Sequence, residues 1–174
     1  MIARDELLFA VDESNKPVFA RPRRFVHANK IWHRTSHIWI ISNKNQVMCQ
    51  QRSFLKDMNP GKWEPFFGGH LLSGQSYKDS AYEELNEELG IDPSRREIKF
   101  LFINKSDRDK EFQAVHYIKW FGKISSLKLE KDEVVKVKWI SFSQLLKIYK
   151  RNDKRWTAFN YEVPLLEKFL KLAY

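Results

Sequence analysis

The chain has very little cysteine and lacks any long apolar run. Cys49 is the only cysteine among 174 residues, so no intramolecular disulfide and no zinc site built from four thiolates can form. No segment reaches the roughly 20 apolar residues that span a bilayer, and the N-terminal stretch lacks the uninterrupted apolar core of a signal peptide. We therefore expect a cytoplasmic protein that does not enter a membrane.

Internal repeats, low-complexity tracts and Pro/Gly/Ser-rich linkers are also absent from the sequence. With 43% hydrophobic residues, a chain of 174 residues suffices for one domain and is too short for two ordinary ones. We expect a single domain over 1–174, with an N-terminal hairpin and basic segment at 1–36, a core at 38–141 and C-terminal helices at 142–174. The sequence gives no signal of oligomeric state.

Positive charge dominates, since 31 basic and 22 acidic residues give a net charge of +9. This balance favours anionic partners such as nucleotides, diphosphates or nucleic acid. The charge is spread along the chain and no RNA-binding motif is present, so a small diphosphate-containing molecule ranks first as partner and nucleic acid last.

Turn residues and hydrophobic periodicity predict strands that alternate with a few helices. The predicted strands are Glu6 to Val11, Pro17 to Ala20, His37 to Ser42, Val47 to Gln51, Ile98 to Ile103, Phe112 to Phe121 and Val134 to Trp139. The predicted helices are Tyr77 to Leu89, Ser143 to Tyr149 and Pro164 to Leu172. Ser76 and Asp79 resemble a capping box before the first of these helices, and Gly90 supplies its stop. The pattern is that of a mixed α/β or α+β domain.

The helix from Tyr77 to Leu89 carries an acidic face. Glu84, Glu87 and Glu88 stand at i, i+3 and i+4, which places three carboxylates within one turn. A hard divalent cation such as Mg²⁺ would neutralise them, because it prefers oxygen ligands. An exposed acidic helix is the plain alternative, and the preceding Gly68-Gly69 pair, which lets backbone approach a metal or phosphate closely, favours the site.

The segment Gly68 to Ile91 resembles the Nudix box. The positions that match are Gly69, Glu84, Leu85, Glu87, Glu88, Gly90 and Ile91. The resemblance implies a Nudix α/β/α sandwich with a mixed central sheet, and hydrolysis of a nucleoside diphosphate linked to another group. It also implies Mg²⁺ or Mn²⁺ as cofactor, with Glu84, Glu87 and Glu88 in catalysis and metal binding and with Gly69 and His70 as further metal ligands.

Two positions depart from the Nudix pattern. Gln75 replaces a glutamate and Glu83 replaces an arginine. We interpret the pair as a compensated exchange in which the Gln75 amide hydrogen-bonds the Glu83 carboxylate without adding charge. A catalytically weak Nudix fold that serves as a binding module remains the alternative.

Other stretches resemble the isopentenyl-diphosphate isomerase branch of the same superfamily. They are HRTSHIWI, QQRSFLKDMNPGKW and the Gly-Gly-His triplet. The resemblance implies metal binding by His33 and His70 and by acidic residues matching Asp109 and Glu111. The isomerase needs a cysteine where this chain has Gly68, so we expect an isomerase-like hydrolase and keep isomerisation as an alternative.

Four further residues are candidates for contact with substrate. Trp63 and Phe67 precede the box and offer aromatic faces on which a nucleobase could stack. Arg52 lies in the isomerase-like stretch, and Glu133 is a candidate base or outer ligand, although a surface glutamate is an equal reading of that position. The sequence does not specify the substrate.

Overall fold

The computed structural model describes residues 6–92, 94, 97–157 and 162–172. The strands within these residues are β1 (Leu7–Val11), β2 (Pro17–Pro22), β3 (His33–Ile41), β4 (Gln46–Arg52), β5 (Trp63–Glu64), β6 (Lys99–Ser106), β7 (Glu111–Lys119) and β8 (Val134–Ser141). The α-helices are α1 (Arg23–Ala28), α2 (Tyr77–Leu89), α3 (Phe142–Lys150) and α4 (Glu162–Leu172). These elements confirm the mixed α/β class.

Both predicted N-terminal hairpins form. β1 and β2 pair antiparallel, and the Asp12 carboxylate holds their turn by accepting from the amides of Ser14 at 2.8 Å and Lys16 at 2.9 Å. β3 and β4 pair antiparallel through Ile41 and Val47. The prediction missed α1, a short helix in the basic segment, because its six residues carry no amphipathic repeat.

Helix α2 has the predicted bounds, Tyr77–Leu89. At its start, the Ser76 hydroxyl accepts from the amide of Asp79 at 3.1 Å. At its end, Gly90 adopts a φ of +64°, and the amide of Ile91 donates to the carbonyl of Leu85 at 3.2 Å. A left-handed glycine at this place ends the helix just after its acidic turn.

The chain divides into two compact units, each built from separate segments. The first unit comprises Met1–Ile38, Phe67–Glu87 and Ile91–Ile118, and the second comprises Trp39–Phe66, Glu88–Gly90 and Lys119–Tyr174. This division does not test the single-domain prediction, which stays a prediction. None of the described helices has the length and apolar character needed to cross a membrane.

In the first unit, β1 pairs with β2 on one side and with the start of β3 on the other, while β6 and β7 form an antiparallel pair. Its core contains side chains that are fully removed from solvent, and burial of such apolar groups is the main stabilising contribution to the fold. They include Leu8, Phe67, Leu71, Leu85 and Val115.

In the second unit, β4 lies between β8 and β5 and pairs antiparallel with both. Helix α3 follows β8 directly through a capping box in which the Ser141 hydroxyl accepts from the Gln144 amide. Successive side chains of a strand point to opposite faces, so Trp63 and Glu64 of β5 lie on opposite sides of this sheet.

Candidate active site

Gly69 and Glu84 lie in direct contact in the first unit. A Cβ built on Gly69 would stand 2.1 Å from Glu84 Oε1, much closer than any side chain permits. Only glycine therefore leaves room for the Glu84 carboxylate to reach this backbone. The structure thus brings together two residues that the sequence predicts as metal ligands.

The other two candidate glutamates follow on α2. Glu87 is exposed, whereas Glu88 is 5% exposed and belongs to the second unit, where its carbonyl accepts from the amide of Glu130 at 3.1 Å. A buried carboxylate needs compensating charge or metal. Arg52 supplies part of that charge, because the Glu88 carboxylate contributes to raising its pKa.

Arg52 is held by two contacts within the second unit. Its Nη1 donates to Glu64 Oε2 at 2.8 Å, and its Nε donates to the carbonyl of Met58 at 3.1 Å. Burial alone would lower the pKa of Arg52, but the carboxylates of Glu64, Glu88 and Glu133 raise it. Arg52 therefore stays cationic among acidic groups.

Glu133, the second charged candidate of this unit, forms an ion pair with Lys56. The interactions of Arg52 with both Glu133 and Glu88 place these candidates in one charged network. The sequence reasoning did not single out Glu64 or Lys56, because each looks like an ordinary charged residue beside a strand or in a loop.

The hydrogen bond expected between Gln75 and Glu83 is present in the structure. Gln75 Nε2 donates to Glu83 Oε2, and Gln75 Oε1 accepts from the amide of Leu72 at 2.8 Å. The amide thus joins the loop after the glycine pair to the outer face of α2. Because Gln75 is neutral, the contact adds no further negative charge beside the four glutamates of α2, Glu83, Glu84, Glu87 and Glu88.

Three histidines of the first unit form a cluster in which one ring nitrogen from each lies within 4.8 Å of the others. His27 comes from α1, His33 from the start of β3, and His70 from the loop before α2. His27 Nε2 and His70 Nε2 are 2.9 Å apart. Glu111 of β7 adds a carboxylate, whose Oε1 lies 3.5 Å from His33 Nε2 and 4.0 Å from His70 Nε2.

The environment of this cluster suits a metal ion. His33 Nδ1 lies 2.8 Å from the carbonyl of Ile31, which can only accept, so Nδ1 donates and a metal that replaced any proton on Nε2 would take Nε2 as its ligand atom. Burial would raise the pKa of Glu111, but His33, Gln113 and His37 lower it overall and keep the group ionised. Imidazole nitrogens with a carboxylate oxygen are ordinary ligands of divalent transition metals.

The structure distinguishes the two acidic residues that the isomerase resemblance suggests as ligands. Glu111 joins the cluster, whereas Asp109 accepts hydrogen bonds from Ser106 and Arg108. His27 was not among the predicted ligands. The sequence signal for it is its position six residues before His33. Because helix α1 was not predicted, there was no reason from the sequence to expect that the two side chains lie close together.

Gly68 occupies a position that cannot hold a side chain in this conformation. Its φ is +131°, and a Cβ would stand 1.9 Å from the carbonyl oxygen of Ser36.

Of the two aromatic candidates for substrate contact, Phe67 is fully buried, and Trp63 is half-buried with its ring centroid 6.0 Å from that of Trp156.

Comparison with known proteins identifies the family. The protein-family model described as NUDIX domain matches residues 32–160 of the chain. The chain therefore belongs to the Nudix family.

Individual relatives agree with this placement. An uncharacterized Nudix hydrolase of Clostridium acetobutylicum is 31% identical over 150 residues, which cover 81% of this chain and 72% of the relative. An isopentenyl-diphosphate Delta-isomerase of Photorhabdus laumondii is 28% identical over 145 residues, which cover 81% of this chain and 80% of the relative. A crystal structure from Deinococcus radiodurans superposes with a TM-score of 0.79 at 18% identity, over 91% of this chain and 98% of that one.

Proposed function

We propose that this Nudix hydrolase uses a divalent metal to cleave the diphosphate bond of a nucleoside diphosphate linked to another group. The observation that carries the proposal is the contact between the Glu84 carboxylate and the backbone at Gly69, at the position where the box requires glycine. The Gly69 carbonyl, which also accepts from the Ser36 amide at 2.9 Å, would together with the Glu84 carboxylate offer a hard cation two oxygen ligands.

Glu84, Glu87 and Glu88 would hold Mg²⁺ or Mn²⁺ together with the Gly69 carbonyl. When bound, the metal stabilises charge on the phosphoryl oxygens and lowers the pKa of the attacking water. One of the three glutamates accepts the proton from that water. The hydrogen bond between Gln75 and Glu83 anchors the glycine loop to the helix, so that the metal ligands keep their spacing.

Arg52 has a supporting role in this proposal. Glu64 and the Met58 carbonyl fix its guanidinium, and its remaining N–H groups bind a phosphoryl oxygen of the substrate. Glu133, paired with Lys56, orients a second cation for the same diphosphate. The diphosphate therefore meets positive groups that are already ordered.

We further propose that His27, His33, His70 and Glu111 hold a transition metal ion. The proposal is supported by the nitrogen spacing within 4.8 Å and by the orientation of the His33 ring. Mg²⁺ or Mn²⁺ suits the glutamates, while three imidazoles favour a softer ion such as Zn²⁺. The relative named as an isomerase makes isomerisation the competing activity, and Gly68 argues against it because that reaction needs a thiol at this position.

The test is release of nucleoside monophosphate or phosphate from a panel of nucleoside diphosphate derivatives with Mg²⁺ and with Mn²⁺. Glu87→Gln and Glu88→Gln should each reduce turnover by at least about tenfold, as loss of a ligand in a catalytic metal site does. Glu97→Gln, which changes an exposed carboxylate outside α2, should leave turnover unchanged.

Two results would contradict this function. Tight nucleotide binding without turnover under either metal would make the protein a binding module. Exchange of solvent protons into isopentenyl diphosphate would support the isomerase instead.

A further inference from the structure

A pocket in the second unit lies on the face of the sheet opposite to Glu64. It has a volume of about 140 Å³, is open to solvent, and is lined by Trp63, Lys138, Ile148, Asp153, Arg155 and Trp156. The register of β4 with its neighbours places Trp63 opposite Gln51, and Lys138 opposite Cys49. Since residues two apart share a face, the Trp63 and Lys138 side chains belong to the same side of the sheet.

Two indole rings form the wall of this pocket. The segment that carries Trp156 runs parallel to β5, because the Trp63 amide donates to the carbonyl of Arg155 at 2.8 Å and the Thr157 amide donates to the carbonyl of Trp63 at 2.9 Å. The rings therefore stand side by side, with 6.0 Å between centroids and an angle of 30°. Adjacent aromatic faces of this kind stack well with a nucleobase.

Positive charge exceeds negative charge at the same place, because the lining contains Lys138 and Arg155 but one carboxylate, Asp153. Lys138 Nζ lies 3.6 Å from the centroid of Trp63 and 5.5 Å from that of Trp156, and Lys136 Nζ lies 5.7 Å from Trp63. Among the residues that the structure describes, no carboxylate forms an ion pair with Lys138. Burial lowers the pKa of Lys138, the Cys49 thiol opposes this effect, and Lys136 and Arg155 add to it.

Arg155 is the second cation in the lining. It is paired with Asp153, whose carboxylate accepts from Nη2 at 2.6 Å and from Nε at 3.0 Å. The Arg155 side chain is 81% exposed, so this ion pair favours one orientation of the guanidinium without fixing it. An anion that enters the pocket would relieve the repulsion among Lys136, Lys138 and Arg155.

We propose that this pocket is a second, non-catalytic site that binds one nucleotide, with the base against the tryptophans and the phosphate against Lys138 and Arg155. With a volume of about 140 Å³ the pocket is smaller than typical small-molecule pockets, which begin at about 300 Å³, so only part of the nucleotide would lie inside it. A free mononucleotide and the terminal nucleotide of an RNA share this chemistry. The site goes beyond the proposed hydrolysis and does not depend on it.

The experiment measures quenching of tryptophan fluorescence and the heat of binding with adenosine monophosphate as probe. Adenosine, inorganic phosphate and a short oligoadenylate serve as comparison ligands. Lys138→Gln and Arg155→Gln should each weaken binding about tenfold, the effect of removing one charged hydrogen bond to phosphate. Lys138→Arg should retain binding, and Lys131→Gln, at an exposed lysine of the same unit, should bind as the wild type does.

Each outcome has a defined meaning. Binding that survives Glu87→Gln but weakens in Lys138→Gln supports the pocket, and binding of oligoadenylate alone with the same dependence supports it with RNA as the source. The proposal is overturned if neither probe binds, if inorganic phosphate binds as tightly as the nucleotide, or if Lys138→Gln binds as the wild type does.

Discussion

Two neighbouring glycines should respond to the same substitution in opposite ways. Gly68→Ala places a methyl group 1.9 Å from the Ser36 carbonyl oxygen, which belongs to the backbone and cannot rotate away. Gly69→Ala places its methyl group 2.1 Å from Glu84 Oε1, the end of a flexible side chain. The first substitution should therefore destabilise the fold, and the second should displace the Glu84 carboxylate, which we propose as a metal ligand.

The cost of Gly68→Ala has two parts. A positive φ in a residue with a side chain costs about 1–3 kcal/mol, and overpacking against fixed backbone costs a further 1–3 kcal/mol or so. We expect a total loss of about 2–6 kcal/mol in the free energy of unfolding. For a chain of this length, that corresponds to a fall in Tm of about 4–24 °C.

Gly69→Ala should change the free energy of unfolding by less than about 1 kcal/mol, because rotation of the Glu84 side chain relieves the clash. The same rotation moves the carboxylate away from the backbone carbonyl. We therefore expect turnover and Mg²⁺ affinity to fall at least about tenfold, the usual effect of disturbing a metal ligand.

Urea denaturation, thermal melting and turnover on the best substrate of the panel measure both effects. Gly74→Ala is the matched control, since Gly74 has a φ of +91° but no atom within 4 Å of its built Cβ, so it reports backbone strain alone. A Gly68→Ala protein that melts no lower than Gly74→Ala would refute the steric argument. Full activity in Gly69→Ala would refute the assignment of Glu84.

Three further predictions concern charge. Gln75→Glu should lower the free energy of unfolding by about 0.5 kcal/mol, because it places a second negative charge beside Glu83. Adding Glu83→Arg should recover this stability in a double-mutant cycle measured by urea denaturation. If the effects of the two substitutions simply add, the pairing is contradicted. Burial lowers the pKa of His116 from 6.5 to about 4. Between these two pH values, His116 is therefore protonated in the unfolded chain and neutral in the folded protein. Stability should fall by about 3 kcal/mol as pH drops through that window, and His116→Gln should flatten the profile; an unchanged profile would refute this source. His33→Gln should reduce bound Zn²⁺ by metal analysis, while Glu87→Gln, a change at the proposed Mg²⁺ or Mn²⁺ site, should not. Equal zinc content in His33→Gln and wild type would contradict the histidine cluster as a metal site.

The acidic helix could be predicted from the sequence because its signals are local. Ser76, Asp79 and Gly90 bracket α2 through contacts within a few residues of the chain, and the structure reproduces the predicted bounds. The contact between Gln75 and Glu83 was also predictable, since the box fixes their separation. Local capping and turn chemistry thus specify this part of the site.

The histidine cluster was only partly predictable, because its ligands come from distant parts of the chain. His33 and His70 are 37 residues apart by their numbering and meet through the bridge between Thr35 and His70. His27 joins them from α1, a helix with little sequence signal of its own. Convergence of this kind depends on long-range strand pairing, which local propensity does not encode.

The missing isomerase thiol is the point at which sequence and structure give different kinds of information. From the sequence, Gly68 could be a single replacement that one mutation would reverse. In the structure, the positive φ and the Ser36 carbonyl leave no space for any side chain, so Gly68→Cys should destabilise the loop before its thiol could reach a substrate. The hydrolase assignment therefore rests on the path of the backbone as well as on the absence of one sulfur atom.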